Sequence, residues 1–255
     1  MSDVITPYEL PPIVKAELLA LAAKSDLLLL GEVHGTQEVP RLTLGLLDDL
    51  ATLHYGGLGL EIPQGEQSRL ADWANGSGKV PPFFGPKEFQ DGRGNRQALS
   101  LIQQAAGCSS GWKLLCFDVS FLREGETGAD RDRLMAENLL LLWEEQCAGQ
   151  KVVAICGNYH SRLVAPEQPD FGPWPSFGAS VQLLRPELTV SAVDIRFHGG
   201  RFFNGEIKEF VRPDSPLVQG AELRSGGRLG HSAELHLPDA TPATFFEGTA
   251  FLQSV

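Results

Sequence analysis

The chain has 255 residues, of which 42% are hydrophobic and 21% are charged, and this balance excludes a predominantly disordered protein. Its 21 Lys and Arg residues stand against 32 Asp and Glu, so the formal net charge is −11. This acidic balance argues against non-specific nucleic-acid binding and against a polybasic membrane anchor, which need a cationic face, but it does not exclude a locally basic pocket. We therefore expect neither a nucleic acid nor a membrane as partner, and a small molecule as substrate.

The start of the chain and its cysteines indicate a cytoplasmic protein. Residues 1–4 lack the basic and apolar regions of a signal peptide, and the apolar run at 27–30 is too short to span a bilayer. The cysteines form no C-x-x-C pair, which excludes zinc-ribbon and thioredoxin motifs. We predict reduced, buried thiols at Cys108, Cys116, Cys147 and Cys156.

Short apolar runs alternate with helical patterns along the chain, which is typical of a sheet built from strand–helix–strand units. The strands are continuous apolar runs, so we expect a mostly parallel central sheet buried on both faces and flanked by helices. In chain order the patterns predict a helix over 13–23, a strand over 27–31, a helix over 36–53, a strand over 58–62, a helix over 96–106, a strand over 113–119, a helix over 131–146, and strands over 151–156 and 190–196.

Three regions do not fit this alternation. Gly and Pro cluster in residues 66–94, which predicts a lid-like insertion, and residues 166–175 have a loop-like composition. Turn residues dominate from Pro213 onward, so we expect residues 197–255 to form an irregular C-terminal extension. Since no linker separates these regions, we predict a single α/β domain over 1–255.

Ionisable residues lie at the end of each of the five predicted strands or just after it, although the strands themselves are otherwise almost purely apolar. In an open α/β sheet, ligands bind outside the carboxyl ends of the strands. We therefore expect these side chains to converge at one edge of the sheet. They are Glu32 and His34, Glu61, Asp118, His160 and Arg162, and Asp194, Arg196 and His198.

Two of the charged residues need partners. Glu61 emerges from a buried strand, where an unpaired carboxylate is costly, so it requires a cation, a metal or a hydrogen-bond donor. Arg131 begins a predicted helix, where the macrodipole disfavours a cation. We expect Arg131 to pair with Glu32, with Glu61 or with an anionic group of the substrate.

The ordered set of motifs resembles the erythromycin esterase family and the wider superfamily of ChaN-like haem-binding uptake proteins and TIKI/TraB proteins. That superfamily carries two Gly-x-x-His motifs at strand ends, which 31–34 and 157–160 match. Glu61 and Asp118 match acids on the second and third strands. The segment 131–138 resembles the Arg-Asp-x-x-Met-Ala-x-Asn helix of erythromycin esterase-like proteins.

The resemblance covers residues 27–162, and it has departures. Erythromycin esterases are much longer and carry an extra helical region, so the resemblance does not imply a macrolide cleft here. The ChaN-like proteins are associated with haem and a membrane anchor, but no lipobox cysteine lies near Met1. The TIKI branch resembles metal-dependent proteases that act outside the cell, and a signal peptide is not evident here.

Two mechanisms suit two imidazoles and several carboxylates. In the first, His34 is the general base that deprotonates a water, and Glu32 or Glu61 orients the imidazole of His34 and stabilises the imidazolium. His160 or Arg131 then stabilises the oxyanion, with Asp118 in support. In the second, a divalent Zn, Mn or Fe ion is held and activates water. The ligands in that case are Glu32, His34, Glu61 and His160.

Both mechanisms predict a hydrolase of esters, lactones or amides. A serine nucleophile is not expected, because no Gly-x-Ser-x-Gly elbow is present. We predict that Arg162, Arg196 and His198 contact the substrate. The alternative function is a haem- or metal-binding protein of the ChaN type without turnover, in which the two histidines would be ligands.

Overall fold

The computed structural model describes residues 4–119, 122, 124–164, 175–210, 220–227 and 230–247. Its helices are α1 Pro12–Ala23, α2 Glu38–Thr52, α3 Gln67–Ala74, α4 Arg96–Gly107, α5 Gly128–Cys147 and α6 Phe177–Leu184. Its strands are β1 Leu27–Glu32, β2 Tyr55–Pro63, β3 Lys113–Asp118, β4 Lys151–Gly157, β5 Val190–Phe197, β6 Arg201–Asn204, β7 Glu206–Glu209, β8 Glu222–Ser225 and β9 Ala233–Leu237.

Seven strands form one sheet in the order β3-β2-β4-β1-β5-β9-β8. Every neighbouring pair is parallel except β8 and β9, which are antiparallel. The predicted α/β fold with a mostly parallel central sheet is therefore confirmed. The carboxyl ends of β1 to β5 lie at the same edge, because parallel strands share their direction.

Helices cover both faces of this sheet, and the buried residues form two apolar clusters. Leu28 and Leu30 of β1 belong to the cluster packed against α1, α2 and α4. Leu27 and Leu29 belong to the other cluster, which is packed against α5 and α6. All four leucines are fully buried. This two-sided burial explains why β1 reads as an unbroken apolar run.

The lid-like insertion predicted over 66–94 is more structured than its composition indicates. It contains α3 and two short 3-10 turns, and Leu70 and Phe84 are fully buried in the core. Pro86 also makes a β-bridge with Phe246. The segment is therefore fixed to the body of the protein by apolar packing, which local composition does not reveal.

The region 197–255 contributes strands that the sequence did not predict. Strand β9 extends the central sheet beside β5, and β8 forms its outer edge, whereas β6 and β7 make a separate hairpin. These strands are short and carry charged residues such as Glu234 and Arg224. Their pairing partners, not their own pattern, define them. Of the loop predicted over 166–175, residues 166–174 lie outside the described residues.

The C-terminal segment 240–246 connects the amino ends of two helices to the edge of the sheet. Gln37 N–H donates to Thr241 O at 2.9 Å, and Arg96 N–H donates to Thr244 O at 2.8 Å. Ala243 N–H donates to Gly35 O at 2.8 Å. Gly35 has a φ of +79°, and a Cβ there would lie 1.8 Å from Phe203 O, so only glycine fits this turn after β1.

None of the helices in the described part of the chain combines the length and apolar character that crossing a membrane requires. Cys108, Cys116, Cys147 and Cys156 are free thiols, and all but Cys108 are buried. Burial raises the pKa of Cys116 to about 12 and that of Cys147 to about 11. The thiols of Cys116 and Cys147 are therefore protonated near neutral pH, which disfavours them as nucleophiles.

Candidate active site

Glu61 lies at the centre of a polar cluster at the carboxyl edge of the sheet. It is the last residue but two of β2, and only 6% of its surface is exposed. Its Oε1 accepts hydrogen bonds from Arg131 Nη2 at 2.9 Å and from Arg93 Nη1 at 3.3 Å. Its Oε2 accepts one from Gly157 N–H at 2.7 Å. We call this the Glu61 cluster; its members are Glu32, His34, Glu61, Arg93, Asp118, Arg131, Asp132 and His160.

The cations around Glu61 control its ionisation. Burial alone would raise the pKa of Glu61, but the charges of His34, His160, Arg93 and Arg131 outweigh it and lower that pKa to about 2. Glu61 is therefore a carboxylate at neutral pH. The position of Glu61 in a buried strand predicts that it needs a partner such as a cation. The guanidinium groups of Arg93 and Arg131 are those partners.

Asp118, at the end of β3, holds both arginines in place. Arg131 Nε and Nη2 bond to its two carboxylate oxygens at 3.0 and 2.9 Å, which is the bidentate geometry that guanidinium groups favour. Arg93 Nη1 donates to Asp118 Oδ2 at 2.6 Å. Helix α5 begins with a capping box between Thr127 and Asp130, so Arg131 lies in its first turn. The carboxylates offset the unfavourable helix dipole at that position.

His34 lies just after β1 and pairs with Glu32 of the same turn. Its Nδ1 donates to Glu32 Oε1 at 2.8 Å. Its Nε2 lies 3.7 Å from Glu61 Oε2, which is beyond hydrogen-bond distance, and it bonds to nothing among the described residues. Burial by itself lowers the pKa of His34, but Glu61 and Glu32 outweigh this and hold the pKa above its ordinary value of 6.5.

His160 forms a second imidazole–carboxylate pair, with Asp132 at its Nδ1. Its Nε2 bonds to Arg131 Nη1 at 2.8 Å. Because a guanidinium can only donate, this Nε2 accepts and the proton of the neutral ring lies on Nδ1. Both nitrogens of His160 are therefore in use, whereas His34 retains an open Nε2.

Gly157 allows the two imidazoles to share this site. A Cβ at this position would lie 3.1 Å from His34 Nε2 and 3.4 Å from His160 Cδ2. The structure thus brings together Glu32, His34, Glu61, Asp118 and His160, as the strand-end pattern predicts, and adds Arg131, which was expected to pair with Glu32, with Glu61 or with the substrate. Their chemical roles remain predictions.

Two members of the cluster were not identified from the sequence. Arg93 lies in the Gly/Pro-rich segment, and no local pattern indicates that it reaches β2 and β3. Asp132 is adjacent to Arg131 and is the acidic residue of the motif at 131–138, which was its only signal in the sequence. Its contact with His160 depends on how α5 packs on the sheet, and the local sequence does not specify this packing.

Arg162, which we predicted to contact the substrate, is only 5% exposed. Its guanidinium lies over the ring of Tyr159, 4.4 Å from the ring centre. Arg162 therefore packs against the exposed ring of Tyr159, the residue that precedes His160 in the chain. The contact of Arg162 with a substrate stays a prediction.

Arg196 and His198 make their hydrogen bonds within a second network, and their contact with a substrate stays a prediction. Arg196 Nη1 bonds to Asp194 Oδ2 at 3.2 Å and to Glu234 Oε1 at 3.1 Å. His198 Nε2 bonds to His236 Nδ1 at 2.7 Å. Glu234 and His236 lie on strand β9, which the sequence did not predict. The side chains of Arg196 and His198 are therefore directed toward β9.

The residues of the cluster do not fit the predicted metal. Within the described residues, no group of three or more His, Cys, Asp or Glu is arranged to hold a metal ion. Arg93 and Arg131 occupy Glu61 Oε1, and Arg131 also occupies His160 Nε2. The same bond to His160 removes one of the two imidazoles proposed as haem ligands. Guanidinium groups thus supply the positive charge that a metal would bring.

Comparison with known proteins supports the fold and leaves the activity open. No family model and no curated protein matches the chain. A mutant of erythromycin esterase EreC in its open conformation superposes with a TM-score of 0.65 at 11% identity, over 88% of this chain and 93% of that chain. A succinoglycan biosynthesis protein superposes with a TM-score of 0.64 at 12% identity, over 95% and 94%.

The haem-binding protein ChaN of Campylobacter jejuni also matches, at 15% identity over 72% of this chain and 86% of that chain. Its TM-score of 0.44 is too low to support any inference about this protein. The chain therefore has the α/β fold of the erythromycin esterase structure, as its motifs indicate. At these identities the likeness shows the fold alone.

Proposed function

We propose that the chain is a hydrolase of esters, lactones or amides in which His34 is the general base. The open Nε2 of His34 carries this proposal. Its Nδ1–H is held by Glu32, so the lone pair of Nε2 points into the Glu61 cluster, and 20% of the His34 side chain is exposed to solvent. An oriented imidazole with one bonded and one open nitrogen is the arrangement that general-base catalysis needs.

In the proposed reaction, His34 Nε2 takes a proton from a water molecule whose oxygen attacks the carbonyl carbon of the substrate. The carbonyl oxygen becomes an oxyanion. Arg131 has one Nη1–H that bonds to no described residue, and this N–H donates to the oxyanion. The tetrahedral intermediate then collapses. The protonated His34 returns its proton to the leaving oxygen or nitrogen, so the enzyme regains its initial state.

A serine nucleophile is less consistent with the structure. Ser161 Oγ lies 2.9 Å from His231 Nε2, which resembles a Ser–His pair. However, Ser161 is fully buried and His231 is 4% exposed, so a substrate carbonyl cannot reach the hydroxyl. Gly31 packs against Ser161, and a Cβ at Gly31 would lie 2.2 Å from Ser161 Oγ. These contacts indicate a structural role for the pair.

The test is hydrolysis of a panel of p-nitrophenyl esters, aliphatic lactones and aryl amides by wild type and by His34→Asn. We expect at least one class to be hydrolysed, and kcat/KM to fall by about 10²-fold or more in His34→Asn. His54→Asn is the matched control, because His54 is exposed between α2 and β2 and asparagine accepts its φ of +69°.

Equal activity in the wild type and in His34→Asn would contradict the proposed base. A wild type without turnover on any class that develops a Soret band when titrated with haem would instead favour the alternative of a haem-binding protein. Such a band should then be lost in His34→Asn and kept in His54→Asn.

A further inference from the structure

A small cavity of about 40 Å³ lies against the Glu61 cluster, between the sheet and helix α4. Glu32, Glu61 and Arg93, all members of the cluster, line one part of it. The larger part of its wall is apolar. The apolar side chains include those of Leu60 and Ile62 of β2, Ile155 of β4, and Ala98, Leu101 and Ile102 of α4.

The cavity lies beneath the open nitrogen of His34. Ile155 and Gly157 are two residues apart on β4, so they face the same side of the sheet and are about 7 Å apart. His34 Nε2 lies over Gly157, 3.1 Å from the place that a Cβ of this residue would take. Glu32 is opposite Gly157 in the register of β1 and β4. Ile155 is therefore the next side chain below His34 and Glu32 on this face.

The strand residues that line the cavity retain a little exposed surface. Leu60 and Ile155 are opposite each other in the register of β2 and β4, and 4% and 8% of their surfaces are exposed. Leu58 and Val153 form the next pair below and are completely buried. The exposed surface thus ends at the level of the cavity, directly below the carboxylates.

The size and the walls of the cavity limit what it can hold. A dry cavity of about 150 Å³ admits a benzene ring, so 40 Å³ suits about two carbon atoms. Apolar walls favour an alkyl group, because its transfer out of water is favourable. A longer chain would meet Leu101 and Ile102, which are fully buried in the core. The cavity therefore matches a methyl or an ethyl group.

We infer that this cavity binds the acyl chain of the substrate, and that the acyl group is acetyl or propionyl. The inference rests on the proposed hydrolase function, in which the carbonyl carbon lies next to the water held at His34 Nε2. The methyl or ethyl group on that carbon enters the cavity, and the leaving group stays on the solvent side. Acyclic esters and amides are then preferred to lactones, because the acyl chain of a lactone returns to the leaving oxygen.

The test is kcat/KM for the p-nitrophenyl esters of acetate, propionate, butyrate and hexanoate. Each value is divided by the rate at which hydroxide hydrolyses the same ester, which removes differences in intrinsic reactivity. We expect the corrected kcat/KM to be highest for the acetate or the propionate and to fall by about tenfold or more at the hexanoate, since overpacking of a filled cavity is unfavourable. Corrected values that stayed equal, or that rose with chain length, would overturn the inference.

Two variants of α4 locate the acyl chain. Ala98→Leu fills the cavity and should lower the ratio of propionate to acetate kcat/KM by about fivefold. Ile102→Ala enlarges the cavity and should raise the ratio of butyrate to acetate by a similar factor. If circular dichroism shows that Ile102→Ala is not folded, Ile102→Val should shift this ratio in the same direction by less.

Ala106→Leu is the matched control for Ala98→Leu. Both alanines are half-buried on α4 and pack against the same apolar cluster, but Ala106 lies about 12 Å further along the helix. Both ratios should keep their wild-type values in this control. Wild-type ratios in Ala98→Leu and in the Ile102 variants as well would show that the acyl chain does not lie in the cavity.

Binding of ketones separates this inference from the hydrolase proposal. Acetophenone, propiophenone, butyrophenone and hexanophenone carry the same acyl series on a ring and cannot be hydrolysed. By ligand-observed NMR, affinity should be highest for propiophenone and should fall at hexanophenone, although transfer from water alone favours the longer chain. Such a limit without turnover of any ester would support the cavity and contradict the hydrolase. Turnover of esters together with ketone affinities that rise throughout would contradict the cavity.

Discussion

At the scale of single residues, the two histidines of the site differ in which nitrogen is open. His34 and His160 each bond a carboxylate through Nδ1. Arg131 occupies Nε2 of His160, but Nε2 of His34 faces the cluster without a hydrogen bond to a described residue. Two histidines in the same Gly-x-x-His spacing are therefore suited to different tasks, since only an open lone pair can accept a proton.

The raised pKa of His34 predicts a pH dependence. A base must be unprotonated to act, so kcat/KM should rise with pH through a midpoint above 6.5, the ordinary pKa of histidine. Glu32→Gln removes one of the charges that raise this pKa. In this variant the rise should shift to lower pH, and kcat/KM on the plateau should fall by about tenfold, because the imidazole is a weaker base.

The measurement is the pH profile of kcat/KM for an ester that the wild type hydrolyses. Glu88→Gln, at an exposed position of the same chain, is the control and should keep the wild-type profile. An unchanged midpoint in Glu32→Gln would show that Glu32 does not control the ionisation of His34 in the reaction.

At the scale of elements, the cluster depends on strands that share a direction and on one segment that crosses their edge. Strands β1 to β4 deliver Glu32, Glu61, Asp118 and Gly157 to one edge of the sheet. The segment 66–94 adds Arg93, which links it to β2 and β3 through their carboxylates. Arg93 is therefore a structural link as well as a member of the site.

Arg93→Gln should destabilise the fold, because Glu61 and Asp118 lose one of their two cationic partners while remaining buried. We expect the free energy of unfolding to fall by about 2 kcal/mol, which allows for the 18% exposure of the Arg93 side chain and for the remaining Arg131. Urea denaturation followed by circular dichroism measures this change.

Arg69→Gln provides the comparison within the same segment. Arg69 pairs with Glu66, and the Arg69 side chain is 62% exposed whereas that of Glu66 is 16% exposed, so the loss of Arg69 should cost less than about 1 kcal/mol. Equal losses in the two variants would mean that Arg93 contributes no more than this half-exposed pair.

At the scale of the whole molecule, the buried carboxylate of Glu61 links global stability to acid. Its pKa lies at about 2 in the folded protein, against an ordinary value of 4.5. A lowered pKa means that the contribution is fully present above about pH 4.5 and is lost as the pH falls toward 2. The size of this contribution is on the order of 3 kcal/mol.

Urea denaturation at several pH values between 5 and 2.5 tests this link. The free energy of unfolding of the wild type should fall across this window, whereas Glu61→Gln should be less stable at pH 7 and should vary less with acid. His34 acts in the opposite sense, since its raised pKa gives stability that is lost as the pH rises above 6.5, outside this window. Parallel curves for the two proteins would contradict the role of Glu61.

Local patterns in the sequence were enough to predict the parallel sheet and most of the candidate site. Apolar runs such as 27–31 specify strands buried on both faces, and parallel strands must bring the residues after their carboxyl ends to one edge. Glu61 could be expected to need a cation, since a buried carboxylate is costly. These predictions depend only on local sequence patterns and on the general topology of parallel sheets, so a single amino-acid sequence is sufficient for them.

The pairing of side chains that are distant in the sequence became evident only in the folded protein. Arg93 bonds to Asp118, which lies 25 residues away in the sequence, and Arg196 bonds to Glu234 of β9, which lies 38 residues away. The open nitrogen of His34 and the occupied nitrogen of His160 were also settled there. Such pairings depend on how helices and loops dock on the sheet, and docking is set by long-range packing that no local periodicity encodes.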